Sequence, residues 1–405
     1  MAGFQRLKKF STLPKVGSQP DWRLFSPAKP VNVRQFLNEA VLPARLANIQ
    51  ALRGLAALMV LFAHVKEAEI DYGGAGIMLP HWLYMGVVGV DLFFLVSGFV
   101  MVHVASAAPR GVTAARRFAF NRAARIYPLY WAVTLILLAL YAGKYALFQE
   151  ATPFPNPVRT FLLLPDDHYP LLPVGWTLVH EMYFYAVFSV FILFQRVKAA
   201  TFLLIWAGVV LIANIFGWTS MNAWSKIAFS PLTYEFIAGA IIALIIKNGM
   251  HAHGYAALAI GVCIITVETL FFAAELYPDV MGRFGLRAAF FGVPFALILY
   301  GVSAVEAKNG RIAPRWLRST GDASYALYLI HVPIFLVIGK LISISVPDSS
   351  LDNLVLIIAF TLCALSAGFT LHGRVEKPLL NATRKIGDRL FAARSQAQIS
   401  QEKAW

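Results

Sequence analysis

Ten apolar segments, each long enough or nearly long enough to cross a bilayer, leave this chain few ways to fold. Their limits read 49–67, 84–105, 126–142, 174–195, 200–217, 229–247, 254–273, 287–305, 323–343 and 353–372. A hydrocarbon core about 30 Å thick is crossed by about 20 helical residues. Inside lipid every backbone N–H and C=O must be satisfied within the segment, so runs of this length are expected as helices. The expected fold is all-α: a polytopic membrane helical bundle of about ten transmembrane helices. The first segment is the weakest, its unbroken apolar run reaching only from Leu55 to Ala63, and the third is short. With 59% hydrophobic and 14% charged residues in 405, the composition excludes a soluble domain of this size.

Charge tests the topology. Ten spans put both termini on one side, and that side then holds 28 of the 35 Lys and Arg residues. The other side holds six (Lys66, Lys144, Arg159, Lys226, Arg283 and Arg287), with Lys340 inside a span. That asymmetry follows the positive-inside rule and places both termini in the cytoplasm. The net charge of +14 therefore reports orientation against membrane lipids, and no nucleic acid is expected as a partner. Residues 1–47 are polar, basic and interrupted by Pro14, Pro20, Pro27, Pro30 and Pro43, which predicts a disordered cytoplasmic tail and not a cleaved signal peptide. The membrane domain is expected over 48–373 and a cytoplasmic C-terminal tail over 374–405. Cys263 and Cys363 fall inside apolar runs and are expected to pack there. No Cys/His cluster has metal-ligand spacing, so no metal is expected. A Pro-rich connection over 143–173, from Pro153 to Pro173, could line a substrate groove or be inert.

Ionisable residues inside spans are costly, and function is their default explanation. Arg53 and His64 lie eleven residues apart in the first span, which on a helix is about 20° from registry and about 16 Å of rise. A cation near one membrane surface thus lines up with an imidazole deep in the bilayer. The bland alternative is a snorkelling Arg and a packing His. A neutral His can serve as a general base toward a hydroxyl, which makes His64 the first candidate and His331 the second. Asp91, Glu181, Glu235, Glu268 and Glu376 are the acids in or beside apolar runs, and a carboxylate next to a His can fix its tautomer. His180 reads as structural, and no motif surrounds Glu268. The loop before the third span carries Arg110, Arg116, Arg117, Arg122 and Arg125. Arg122 and Arg125 share a helix face, and guanidinium suits phosphate recognition, although a lipid-facing basic loop has the same composition. No phosphate-cradling glycine loop is present, so nucleotide hydrolysis is not indicated.

Several stretches resemble the membrane acyltransferase 3 family over about residues 48–385. LRGLAALMVLFAH has its Arg-x10-His spacing at Arg53 and His64. GVVGVDLFFLVSGFVM resembles its second span, with Asp91. NRAARIYPLYW resembles its arginine motif, with Asn121 in place of a first arginine and with Arg122 and Arg125 retained. GWTLVHEMYFY and GDASYALYLIHVPIF match later patterns at Glu181 and His331, and HGRVEKP resembles the closing signature at Glu376 and Pro378.

The resemblance implies transfer of an acyl group, usually acetyl, from cytoplasmic acetyl-CoA to a hydroxyl of an exopolysaccharide, lipopolysaccharide or related sugar. The site is then a bacterial inner (plasma) membrane, and many relatives carry an SGNH hydrolase-like domain for which this C-terminal tail leaves no room. It implies that Arg122 and Arg125, helped by Arg117, hold the CoA phosphates, with Arg53 at the entrance. His64 acts as base or transient acyl carrier, and Glu181, Asp91 or His331 orients it. Succinyl transfer to glucans, a glycan or small-acid transporter, and a scaffold for polysaccharide synthesis are the competing readings. The Arg-x10-His motif has no transport rationale, and no inverted repeat is evident.

Overall fold

Each apolar run becomes a helix in the computed structural model, which describes residues 46–73, 76–105, 110–149, 155–194, 196–271, 283–310, 313–345 and 353–402. Positions 1–45 of the expected N-terminal tail lie outside these, as does Pro153 of the Pro-rich connection. Helix α1 spans Ala47–Tyr72; a 3-10 turn His81–Val88 leads into α2 (Gly89–Ala105); α3 is Val112–Phe148. The short α4 (Pro157–Leu162) precedes α5 (Trp176–Leu193), α6 (Ala199–Ile215) and the short α7 (Ala223–Ala228). Then come α8 (Thr233–Lys247), α9 (Gly254–Phe271), α10 (Phe284–Phe290), α11 (Gly292–Asn309) and α12 (Arg315–Asp322). Last are α13 (Ser324–Ser345), α14 (Asn353–Leu371), a π turn His372–Glu376 and α15 (Lys377–Glu402).

Among the described residues nine helical stretches are long and apolar enough to cross a membrane, and Ala199–Ile215, at 17 residues, is a shorter apolar tenth. The all-α polytopic bundle is therefore the fold. Two boundaries differ from the sequence reading. Helix α3 starts at Val112 and not at residue 126, because its Ala- and Arg-rich first turns favour helix while adding nothing to hydropathy. The polypeptide beyond the last apolar run is also helical, through α15. Pro128 and Pro333 both lie within continuous helices, so neither ends its span.

Burial sorts the helices into centre and rim. The stretch His81–Ala105 is 72% buried and forms the centre, whereas Gly254–Phe271 is 17% buried and lies at the rim. Cys263 and Cys363 are free and exposed on such rim helices, not packed inside. A thiol behaves as a small hydrophobe, so lipid accommodates it as well as a core does.

Without a hydrophobic difference between lipid and protein, helices associate by close approach at small residues. Helices α2 and α8 do this reciprocally. A Cβ on Gly98 would collide with the Phe236 carbonyl, and one on Gly239 with the Leu95 carbonyl. Gly239→Val is expected to force the two central helices apart and cost about 3 kcal/mol, the upper end of overpacking penalties. The check is thermal unfolding in detergent, where a midpoint equal to the native one would contradict this packing.

The far end of α1 is pinned by buried charge. Lys66, 1% exposed, lies 3.0 Å from Glu69. Glu69 also accepts hydrogen bonds from the backbone N–H of Met78 at 2.6 Å and Leu79 at 3.2 Å, and from Asn353 Nδ2 at 3.4 Å. Lys66, counted by sequence among the cations of the non-cytoplasmic side, is instead an internal cation that closes the helix end onto residues 76–80 and α14.

Candidate active site

Helix α1 is unbroken from residue 47 to 72, so Arg53 and His64 do share one face about 16 Å apart. His64 is half-buried. Its Nδ1 lies 2.8 Å from the Val60 carbonyl oxygen one turn back. A carbonyl can only accept, so this geometry assigns the proton to Nδ1 and leaves Nε2 as the lone-pair nitrogen of the neutral ring. His331, 1% exposed, is held the same way, Nδ1 lying 3.2 Å from the Leu327 carbonyl, and its Nε2 is buried with no partner. The two rings meet edge to face, centroids 4.8 Å apart. Tyr328 packs 6.0 Å from His331, its hydroxyl tied to Thr177 Oγ1 at 2.9 Å and donating to the Val174 carbonyl at 3.1 Å.

At the Arg53 end several helices converge. Arg53 donates to Gln50 Oε1 at 3.2 Å, and Gln50 donates to Asp322 at 2.6 Å. Arg125, Glu181, Glu376 and Tyr185 are the charged or ionisable groups close enough to act on the Arg53 guanidinium. Glu181 Oε1 accepts from Ser97 Oγ at 3.3 Å and from the Tyr185 hydroxyl. The Arg122 guanidinium lies over the rings of Phe118 and Tyr185, at 5.4 and 5.7 Å, and its Nε is buried without a hydrogen-bond partner. The π turn aims Glu376, 2% exposed, into the same region, and His372 Nδ1 lies 2.7 Å from its carboxylate. Arg53, Arg122, Arg125, Glu181 and Glu376, scattered along the sequence, thus form one polar assembly of α1, α3, α5 and the π turn.

Two sequence candidates go elsewhere. Arg117 pairs with Asp388 of α15 at 3.4 Å and lies over Phe391, which ties α3 to α15. Asp91, fully buried, is held by Arg287: Nε donates to its two oxygens at 2.9 and 3.0 Å, and Nη2 donates to Oδ2 at 2.6 Å. Glu235, 2% exposed, lies against both, and Trp176 covers the guanidinium at 5.9 Å. The ring that meets His64 is His331, and the partner of Asp91 is Arg287. Sequence reasoning missed Arg287 by counting it as a loop cation. The available signal was an intramembrane Asp91 in need of a cation and an Arg at the edge of an apolar run. His180 is enclosed by Phe94, Trp176, Phe184 and Phe284 and bonded through Nδ1 to the Trp176 carbonyl at 3.1 Å, as a packing histidine is. Among the described residues no group of three or more His, Cys, Asp or Glu could hold a metal ion.

A multi-pass helical membrane protein, with a paired-histidine centre and an arginine-rich polar end, is the class that this fold and site define. The chain belongs to the acyltransferase domain family Acyl_transf_3, which matches residues 46–373, and it is an acyltransferase. It is similar to the exopolysaccharide production protein ExoZ of Rhizobium meliloti (strain 1021), with 31% identity covering 75% of this chain and 92% of that one. It is also similar to acyltransferase MdmB of Streptomyces mycarofaciens, with 25% identity covering 83% of this chain and 92% of that protein. No solved structure matches it.

Proposed function

We propose that this protein is an integral-membrane O-acyltransferase that moves an acetyl group from cytoplasmic acetyl-CoA to a hydroxyl of a surface or exported glycan. The observation that carries the reading is the His64–His331 pair, whose His64 shares a face of α1 with Arg53 and lies about 16 Å from the arginine assembly. Arg122 and Arg125, with Arg53 at the entrance, suit the phosphates of the donor, and the buried unpartnered Nε of Arg122 is a donor that an anion would satisfy. The pantetheine arm is long and narrow, and its run from those arginines delivers the thioester to His64. There His64 Nε2 takes the hydroxyl proton while the sugar oxygen attacks the thioester carbonyl. The tetrahedral adduct collapses with cleavage of the C–S bond, and the imidazolium returns its proton to the sulfur to release CoA. His331 orients the ring of His64. Glu181 and Glu376 orient the arginines, and Asp91 serves the fold by holding Arg287.

The printed name of ExoZ supports an exopolysaccharide as acceptor. The excess of cations on one side, 28 by sequence against six of which Lys66 and Arg287 are internal, supports both termini in the cytoplasm.

The test uses membranes with and without the protein, given CoA charged with labelled acetyl and, in parallel, labelled succinyl. Label is expected to enter the host glycan from acetyl-CoA only where the protein is present. Transfer from succinyl-CoA alone would change the group, and no transfer from either donor would overturn the assignment. Arg122→Ala with Arg125→Ala is expected to raise the KM for acetyl-CoA about tenfold or more through the loss of charge-assisted hydrogen bonds. The same double variant should leave the KM for acetyl-pantetheine, which lacks the nucleotide, unchanged.

A further inference from the structure

The face of α1 that carries Arg53 and His64 continues to Asp71. Arg53 and Asp71 are five full turns apart, so the three side chains form a strip about 20° wide, and Glu67 lies one turn past His64 beside it. The segment His81–Val88 packs antiparallel on the face beside this strip: Gly86 meets Met59 and Ala63, and Gly89 meets Ala56 and Val60. That register sets Tyr84 about level with His64, one turn before Glu67, with the carboxylates of Glu67, Asp71 and Glu69 near enough to act on its hydroxyl. The rings of His81 and Tyr84 lie 5.4 Å apart, and Trp82 beside them is 42% exposed. Asp71 is exposed and Glu67 half-buried. Lys66 does not offset these acids, because it is buried against Glu69. The strip is thus cationic at Arg53, anionic at Asp71, and carries His64 between. There the buried, unpartnered Nε2 of His331 stands beside half-buried His64, where a polar group is still needed.

We propose that Glu67, Asp71 and Tyr84 form the acceptor subsite, and that the sugar residue seated there is a neutral or amino sugar and not a uronic acid or a phosphorylated sugar. Carboxylates accept charge-assisted hydrogen bonds from sugar hydroxyls and attract an ammonium. The same charges repel an anionic sugar, which supplies discrimination as well as affinity. The Tyr84 ring offers an apolar face with a polar tip, suited to one side of a pyranose. The arginine assembly at the other end serves the anionic donor, so each substrate meets charge of the sign it requires. This inference rests on the reading of His64 as the base.

The experiment uses membranes of the full-length protein, labelled acetyl-CoA and exopolysaccharide extracted from the host and stripped of its O-acetyl groups with mild base. Glu67→Gln with Asp71→Asn is expected to raise the half-saturating exopolysaccharide concentration about tenfold and leave that of acetyl-CoA in place. Asp71→Asn alone, at an exposed position, should give a smaller shift in the same direction and guards against a folding failure of the double variant. Depolymerisation and mass spectrometry are expected to find the label on a neutral or amino sugar. Label on a uronic acid, an unchanged exopolysaccharide dependence, or a shift in the acetyl-CoA dependence instead, each with the native protein active, would overturn the subsite alone. An inactive native protein removes the proposed function, and this subsite with it.

Discussion

Replacing His64 by alanine is expected to slow acyl transfer by about 10²–10⁴-fold, the range that a positioned general base contributes. The protein should remain folded, because His64 is half-buried and its one backbone hydrogen bond, to the Val60 carbonyl, leaves with its own donor. The KM for acetyl-CoA should hardly move, since the arginine assembly lies about 16 Å away along α1. The measurement is label transferred per folded protein, with kcat and KM separated. His331→Ala should give a smaller loss in kcat with the pH profile retained, because that ring positions its neighbour. Equal activity of native and His64→Ala protein would remove His64 from the chemistry and make His331 the base.

The second large effect concerns stability. Asp91→Ala is expected to destabilise the protein by about 3–5 kcal/mol, because it leaves the Arg287 guanidinium buried with its three hydrogen bonds to that carboxylate lost. Arg287→Met should be at least as damaging, since Asp91 and Glu235 would then face each other without a cation. The double substitution Asp91→Leu with Arg287→Met should recover much of the loss, as buried ion pairs are often replaceable by apolar pairs of similar volume. Thermal unfolding in detergent reads all three. A double variant no better than either single one would show that the pair does more than neutralise itself.

Much of this architecture was legible in the sequence because lipid imposes simple rules. The apolar runs had to become helices, and a helical period had to bring Arg53 and His64 to one face. The meeting of His64 with His331 could not be read, since nothing in the two local sequences encodes the crossing of α1 with α13. The π turn that aims Glu376 inward leaves no hydropathy signature either. The case of Arg287 is different in kind. A charge count treats every basic residue near a span end as a surface charge, and only the partner, Asp91, reveals that this one is internal. Lys66 was misread for the same reason, its partner Glu69 lying a single turn away. Arg117 was expected to help Arg122 and Arg125 at the CoA phosphates, and the docking of α15 pairs it with Asp388 instead.

The π turn at His372–Glu376 has a further consequence for the C-terminal helix. One surplus residue in a helical turn advances everything downstream by about 100° of rotation. The phase of α15 is therefore set by this turn and not by α14 alone. In that phase Gly387 and Phe391 fall against Phe120, and Asp388 against Arg117. Loss of a single residue within 372–376 would turn those three positions about a quarter-circle away from α3 while leaving every contact of α14 in place. The turn acts as an angular spacer, and the length of the chain at this point is as constrained as its composition.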